Sequence, residues 1–285
     1  MNTLTVTRPR VGAGLPARTA PASSAFTGVL HAETIKLLSL RSTWWTLGLT
    51  VVLMSLFSLG QAMSLDLIAQ DPQSAPALDV LHGAEIVAGG YQLGMITIAV
   101  LGALLITGEY STGMIRSTLA AVPTRLPVLA AKAITVSIAT AAVTAVSLVL
   151  TYVITVPLLD EYGLVPSLGD PQTWQVGAGM IFFLVAAALF ALGMGTLLRS
   201  TAGAVTASLT VLLLLPGVLS IIGLEWVQNV IDYLPLPAAT AFLTVSDATL
   251  VGPQELSPIT GLLVVAAYAI GPMALAAVSL RRRDA

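Results

Sequence analysis

Residues 86–108 read IVAGGYQLGMITIAVLGALLITG, a run without a single Asp, Glu, Lys or Arg. A helix of roughly 20 residues crosses the ~30 Å hydrocarbon core of a bilayer, so this run is long enough to span one. Backbone N–H and C=O groups cannot stay unpaired in lipid, and the alternating pattern of barrel strands is absent here. The run is therefore predicted to form a transmembrane helix.

Five other uncharged runs of sufficient length occur in the chain of 285 residues, which is 56% hydrophobic and 9% charged. An ordinary soluble domain carries roughly 25% charged residues. The chain is thus predicted to be an all-α, polytopic membrane protein with six transmembrane helices. The predicted spans cover, approximately, residues 44–64, 86–107, 132–157, 174–198, 203–224 and 258–280.

The charged residues indicate how these helices are oriented. With six crossings, all 12 Lys and Arg residues fall on the side of the two termini. The acidic residues fall on the opposite side, apart from Glu33, Glu109 and Asp284. Because Lys and Arg are retained in cytoplasmic loops, both termini are predicted to be cytoplasmic. The basic residues are spread along one membrane face, which argues against a nucleic-acid partner.

The segments outside the spans differ in character. Residues 1–25 lack the apolar core of a secretory signal and are predicted to be a disordered cytoplasmic tail. Residues 26–43 carry apolar residues at helical spacing, which predicts an amphipathic interface helix on the cytoplasmic surface. Residues 108–131 form a cytoplasmic loop, and the external residues 225–257 are predicted to be a re-entrant or interfacial segment.

Several kinds of chemistry are missing. The chain has no Cys, and the isolated His31 and His82 are predicted to be surface residues rather than metal ligands. Glu85 and Lys132 border spans, and the span interiors lack the ionisable residues that ion-coupled carriers use. Neither Lys36 nor Lys132 closes a phosphate-binding loop, and no hydrolase motif is present. The chain is therefore predicted not to be an enzyme, and any uphill transport needs energy from another chain.

Residues 107–126, TGEYSTGMIRSTLAAVPTRL, form the longest charged element between spans on the cytoplasmic side. A helix from about Glu109, stopped by Pro123, would separate an apolar arc from a polar arc. Glu109 and Arg116 lie two turns apart in such a helix, too far to pair, and are predicted to remain available to a protein partner. A solvated turn that merely joins two spans is the alternative. The apolar arc would hold Met114, Ile115, Leu119 and Val122, and the polar arc Glu109, Thr112 and Arg116.

The segment GEYSTGMIRSTLAAVPTRLPVLAAK resembles the corresponding loop of ABC transporter membrane subunits of the ABC-2 type. Shared features are Glu-Tyr, a glycine three residues later, Leu-Ala, a proline, a basic residue and Ala-Lys entering the third span. HAETIKLLSLRSTWW resembles the N-terminal interface helix of that family, and DYLPLPAATAF resembles its external segment before the sixth span. The resemblance covers residues 26–285.

This resemblance implies a permease of an ATP-driven exporter, whose loop 108–131 holds a coupling helix that rests on an ATP-binding subunit. It also implies a separate ABC ATP-binding subunit, in two copies, that carries the ATP and Mg, with no cofactor on this chain. A second permease chain, identical or related, would complete the path in a bacterial plasma membrane, surrounded by lipid. Residues in contact with the ATP-binding subunit, or supporting that contact, would be Glu109, Tyr110, Gly113, Arg116, Glu33 and Lys36.

Two other functions remain compatible with the residues alone. A membrane scaffold or sensor without transport would also need a helical bundle without catalytic groups. A secondary transporter that is not coupled to ions is the second alternative. No substrate-binding residue is identified, and antibiotics, lipids, peptides and sodium all occur as cargo among members of the family.

Overall fold

The computed structural model describes residues 22–121, 124–222, 224–246 and 256–282. The tail predicted for residues 1–25 lies outside this part of the chain, except for the helical backbone that begins at Ala22. The predicted segment 225–257 is described as far as residue 246 and again from residue 256.

Every regular element in the described residues is helical, and six helical segments are long and apolar enough to cross a membrane. This confirms the predicted all-α fold with six membrane-length helices. The six segments are α2 (Arg41–Gln70), α3 with α4 (Gly83–Ala88 and Tyr91–Thr112), α6 (Leu126–Asp160), α7 (Pro171–Leu198), α8 with α9 (Thr201–Leu209 and Leu215–Ser220) and α12 (Pro258–Arg282). The shorter helices are α1 (Ala22–Ser39), α5 (Met114–Ala121), α10 (Glu225–Ile231), α11 (Pro235–Leu243) and a 3₁₀ turn (Ala75–Val80).

Because consecutive membrane-length helices run in opposite directions, their connections gather at two ends of the bundle. One end, called here the basic end, holds α1, the start of α2, the α4–α6 connection, the α7–α8 junction and the end of α12. The other end, called the acidic end, holds the α2–α3 and α6–α7 connections and the segment around α10 and α11. The described Lys and Arg residues all lie at the basic end.

The helices α4 and α7 form the centre of the bundle and are the most buried of the membrane-length segments. Their backbones meet at Gly102, where a Cβ atom would lie 2.3 Å from the carbonyl oxygen of Ala188. Small residues allow such close approach, and close approach increases dispersion contacts between helices in lipid. The outward faces of α2, α6 and α12 remain apolar and exposed, as expected for surfaces that contact acyl chains.

Where an amphipathic interface helix was predicted, at residues 26–43, the structure has α1, which ends at Ser39. Leu40 has an extended backbone (φ −80°, ψ 121°), and α2 begins at the next residue. The inward side of α1 carries a carboxylate as well as apolar groups, since Glu33 is 2% exposed and Leu37 is 1% exposed. The helix is thus held to the bundle by charge pairing in addition to apolar contact.

The fifth membrane-length segment is irregular where its sequence contains proline. A π-helical turn, Thr210–Leu214, separates α8 from α9 and immediately precedes Leu215-Pro216. Proline has no N–H to donate and its ring displaces the preceding turn, so a widened turn accommodates it. The fifth membrane-length segment is therefore interrupted next to this proline.

The segment between α9 and α12 contains two short helices, α10 and α11. α11 packs against α7 and α12, and its Phe242 is 2% exposed. Gly179 of α7 permits this packing, because a Cβ atom there would lie 2.7 Å from the Phe242 ring. Within the segment 225–257, predicted to be re-entrant or interfacial, α11 is thus buried against the bundle, whereas most of α10 is exposed.

Two linked helix caps stabilise the acidic end. His82 accepts a hydrogen bond at Nδ1 from the backbone of Ala84 (3.2 Å), and its Nε2 lies 2.7 Å from Oδ2 of Asp170. Asp170 caps α7 by accepting from the backbone N–H of Gln172 (3.0 Å). That backbone bond, and then the imidazole, hold the pKa of Asp170 below its usual range. His82 is therefore a partly buried helix cap, whereas His31 is exposed as predicted.

Candidate functional site

The connection between α4 and α6 contains a break at a glycine. α4 continues to Thr112, and Gly113 ends it with a left-handed backbone (φ 73°), which glycine adopts without steric cost. The helix expected to begin at Glu109 begins instead at Met114, and Glu109 lies in the last turn of α4. Since α6 already starts at Leu126, the connection is also shorter than the predicted loop.

The helix α5 turns only part of its surface toward the bundle. Ile115 is buried in the same apolar cluster as Leu37 of α1. Met114, predicted to share that apolar side, is 48% exposed, because the break at Gly113 changes the direction of the chain. Arg116 is exposed, as predicted. The predicted proline stop at residue 123 lies outside the described residues.

Four ionisable residues from three helices meet beneath α5. We call this set the charge cluster: Glu33 and Lys36 of α1, Glu109 of α4 and Lys132 of α6. Two carboxylates face two ammonium groups, so the cluster has no net charge. The cluster therefore brings together three predicted site residues, Glu33, Lys36 and Glu109. They surround Lys132, which the sequence analysis placed only at the border of a span.

Lys132 is the centre of the charge cluster. Its Nζ lies 2.6 Å from Glu33 Oε2 and 2.6 Å from Glu109 Oε1, and its side chain is 1% exposed. A third hydrogen bond reaches the carbonyl oxygen of Leu105 (3.5 Å). A buried ammonium without such partners would be strongly unfavourable, so the two carboxylates are what permit a lysine at this position.

Lys36 closes the cluster from the outside and links it to α5. Its Nζ lies 2.7 Å from Glu33 Oε1 and 3.0 Å from Glu109 Oε1, and it donates to Thr118 Oγ1 of α5 (3.3 Å). Burial is the largest single influence on the pKa of Lys36 and lowers it, but the hydrogen bonds and charges of the two carboxylates outweigh burial. The pKa is consequently raised above its usual value. The stabilisation from Lys36 is therefore fully present at neutral pH and lost only as pH rises through that raised value.

Glu109 does not remain available for a partner protein, contrary to the prediction. One of its oxygens, Oε1, accepts from both lysines, and the side chain is 9% exposed. The other oxygen, Oε2, is buried and has no hydrogen-bond donor in the described part of the chain. A buried acceptor without a donor costs about 1–3 kcal/mol. The cluster is therefore held by strong ion pairs, and Glu109 Oε2 is an acceptor that they leave without a donor in the described residues.

Tyr110, the next predicted residue, faces a different helix. The guanidinium of Arg199, at the end of α7, lies 5.5 Å from the centre of the Tyr110 ring, a cation–π contact. Nearby, Thr201 of α8 donates to Thr107 Oγ1 of α4 (2.9 Å). The last turn of α4 is thus fastened to the α7–α8 junction on one side and to the charge cluster on the other.

The α5–α6 loop is also attached to the last helix. Arg125 has a positive φ of 54° and its Nη1 donates to the carbonyl oxygen of Leu280 in α12 (3.0 Å). The last carbonyl groups of a helix have no hydrogen-bond donor within the helix, and this bond supplies one of them with a donor. Together with the charge cluster and the Arg199 contact, it connects α5 and its flanks to α1, α4, α6, α7 and α12.

Sequence reasoning missed Lys132 and the pairing of Glu109. The signal for Lys132 was its position in LPVLAAKAITVS, where it is the only charged residue in an otherwise apolar stretch. A lysine so placed needs a buried anion, and the carboxylates that the six-helix topology places at the same end are Glu33 and Glu109. Charge counting along the basic end would therefore have suggested the cluster.

A family model described as "ABC-2 family transporter protein" matches residues 29–285. A search of curated proteins gives no significant match. In the described residues, no group of three or more His, Cys, Asp or Glu side chains is placed to hold a metal ion. Membrane subunits of the matched family are generally not enzymes and typically work with ATP-binding subunits. Because the match covers all but the first 28 residues, the chain belongs to the ABC-2 transporter family and is a multi-pass membrane protein.

Proposed function

We propose that this chain is the permease subunit of an ATP-driven exporter and that its basic end faces the cytoplasm. The family membership supports the transport role. The location of the described Lys and Arg residues at one end supports the orientation, because basic residues are retained on the cytoplasmic side. ATP and Mg would then be bound by a separate ATP-binding subunit, present in two copies.

The charge cluster is the observation that carries this proposal. It lies directly beneath α5, and its buried pairs join α1, α4 and α6. Breaking a buried pair is strongly unfavourable, so a push on α1 or α5 moves these helices together instead of bending a surface loop. This is the mechanical property that a coupling element needs.

Within this arrangement the predicted residues have separate roles. Arg116 is exposed on α5 and would contact the ATP-binding subunit. Glu33, Lys36 and Glu109 would transmit the contact inward through the charge cluster, and Gly113 would allow α5 to take its own direction. Tyr110 would connect the same movement to α7 through Arg199.

A second permease chain, identical or related, would complete the translocation path in a bacterial plasma membrane. The exposed apolar faces of α2, α6 and α12 would be shared between that chain and lipid. The cargo expected for a path built from apolar helices is a hydrophobic or amphipathic molecule.

Charge reversal on α5 tests the contact with the ATP-binding subunit. Arg116→Glu is expected to reduce co-purification of the ATP-binding subunit. The matched control is Arg282→Glu, which makes the same charge change on an exposed residue at the same end but away from α5. Equal co-purification by both variants and the unaltered protein would show that α5 is not the contact.

A second variant tests coupling separately from assembly. Lys36→Met removes the bond to Thr118 but leaves the buried pairs of Lys132 with Glu33 and Glu109. It is expected to retain the ATP-binding subunit while losing most of the ATP-dependent transport in proteoliposomes. Unchanged transport in this variant would exclude the cluster from the coupling path. Cargo movement that does not require ATP would instead favour a secondary transporter. If no cargo moves at all, a scaffold would be favoured.

A further inference from the structure

A cavity of about 340 Å³ opens at the acidic end, between α2, the α3–α4 junction and the end of α11. Pockets for small molecules usually have volumes of about 300–1,000 Å³. Its apolar wall includes Phe57 and Leu65 of α2, Ile86 of α3 and Leu243 of α11. The cavity therefore offers the size and the apolar surface that a small organic molecule needs.

Polar side chains lie among the apolar ones in the cavity lining, which is unusual for membrane-length helices. Gln61 of α2 and Gln92 of α4 both line it, and both are exposed. An amide facing lipid would lose its hydrogen bonds to water without replacement. These two side chains therefore indicate that this surface meets water or a polar ligand rather than acyl chains.

Glu85 contributes the charge of the cavity. Its Oε1 accepts from the backbone N–H groups of Val245 (2.6 Å) and Ser246 (2.5 Å) and from the Ser246 hydroxyl (2.7 Å). In the described residues, the hydrogen bonds found to the Glu85 carboxylate all fall on this one oxygen. The backbone bonds fix the carboxylate at the cavity wall, and Oε2 remains able to accept from a ligand.

The electrostatic surroundings favour a cation. The described Lys and Arg residues lie at the basic end, whereas Asp66, Asp79 and Asp170 accompany Glu85 at the acidic end. A cavity with low-dielectric walls strengthens the interaction of a fixed carboxylate with an opposite charge. An anion would meet repulsion there, and a neutral molecule would leave the carboxylate without a counter-charge.

We propose that this cavity is a binding site for organic monocations with an apolar body. The apolar wall would receive the hydrocarbon part, Glu85 the positive charge, and the amides of Gln61 and Gln92 any polar substituent. As a substrate site at the outer end of the path, it rests on the proposed exporter function. Binding itself depends on this chain alone.

The probe for this site is tetraphenylphosphonium, with tetraphenylborate as a matched ion of similar size and opposite charge. The full chain is reconstituted in nanodiscs of phosphatidylcholine, and binding is measured by equilibrium dialysis against empty nanodiscs. Saturable binding above the lipid background is expected for the cation and none for the anion. Equal protein-dependent binding of both ions, or of neither, would overturn the proposal.

Glu85→Gln tests the charge and keeps an oxygen that accepts the bonds from residues 245 and 246. The affinity for tetraphenylphosphonium is expected to fall about tenfold or more, where tenfold corresponds to ~1.4 kcal/mol. The matched control is Asp79→Asn, which removes one charge from an exposed residue at the same end outside the cavity and should leave binding unchanged. Equal affinity in the Glu85→Gln variant and the unaltered protein would refute the role of Glu85.

A second variant keeps the test decisive if the first one folds poorly. Ser64→Trp places a large ring in the cavity from the partly exposed side of α2 and leaves the charge unchanged. It is expected to block binding, and full binding would show that the cation sits elsewhere. If the cation binds but no ATP-binding subunit associates with the chain, the exporter proposal fails and the site stands. If the protein transports cargo with ATP but binds no cation, the proposed cation site fails and the exporter proposal stands.

Discussion

Replacing Lys132 by Met is expected to destabilise the folded protein by about 3–5 kcal/mol, the usual cost of removing one partner from a buried ion pair. Lys132 is 1% exposed and lies 2.6 Å from both Glu33 and Glu109, whose side chains are 2% and 9% exposed. Met has a similar length, so the substitution leaves little empty volume. The main effect is electrostatic: two carboxylates remain opposite Lys36 alone.

A double-mutant cycle separates this charge effect from loss of packing. Glu109→Gln alone leaves two ammonium groups around Glu33, whereas the double variant leaves the neutral pair of Glu33 and Lys36. If the charges interact, the loss of stability in the double variant should be at least ~2 kcal/mol smaller than the sum of the losses in the two single variants. Loss of packing alone predicts simple addition.

The assay is reversible unfolding of the purified chain by SDS in mixed micelles, followed by circular dichroism. Arg282→Met serves as the control, since it removes a basic residue from an exposed position at the same end and should change stability by less than about 0.5 kcal/mol. A loss below ~1 kcal/mol in the Lys132→Met variant would contradict the expected cost of breaking a buried pair. Additive losses in the cycle would contradict direct pairing with Glu109.

Three further outcomes follow from the backbone and the caps. Gly113→Ala should lower the stability by about 1–2 kcal/mol in the same assay, because Gly113 has a left-handed backbone (φ 73°). Its control, Gly108→Ala, lies at an uncrowded helical position and should leave the stability unchanged or raise it by up to ~1 kcal/mol. Gly102→Ala should cost about 1–3 kcal/mol, because its Cβ would lie 2.3 Å from the carbonyl oxygen of Ala188. If Gly113→Ala or Gly102→Ala cost no more stability than Gly108→Ala, the corresponding explanation would be refuted. The pKa of Asp170 is lowered, so the stability that its carboxylate contributes is present above pH 3.8 and is lost as pH falls through the pKa in the folded protein. In thermal unfolding between pH 5 and pH 3, the Asp170→Asn variant should therefore lose less stability than the unaltered protein.

The sequence was sufficient to predict the helices because their main determinant is local. A run such as residues 86–108 must be helical in lipid whatever its neighbours are, and charge sidedness then orders the connections. Helix ends were less predictable. α4 continues past the predicted boundary at residue 107 to Thr112, because a helix extends beyond the hydrocarbon until a residue such as Gly113 permits a left-handed stop.

The charge cluster was only partly predictable because pairing depends on distance in space rather than along the chain. Glu33 and Lys132 are 99 positions apart, and each looked ordinary in its own segment. Treating residues 109–122 as one helix also turned Glu109 toward solvent in the sequence interpretation. The break at Gly113 places Glu109 on α4 instead, where its side chain reaches Lys132.

The same break determines how force from α5 would reach the bundle. A left-handed residue between two helices gives each its own axis, so α5 cannot push α4 as one continuous rod. Lys36 provides the missing connection, since a single ammonium bonds Thr118 of α5 and Glu109 of α4. Because that lysine belongs to α1, the N-terminal helix lies in the path between α5 and α4 and is more than a membrane anchor. In the proposed coupling path, α1 would therefore have to remain docked, and Glu33, buried and bonded to both lysines, is the group that holds it there.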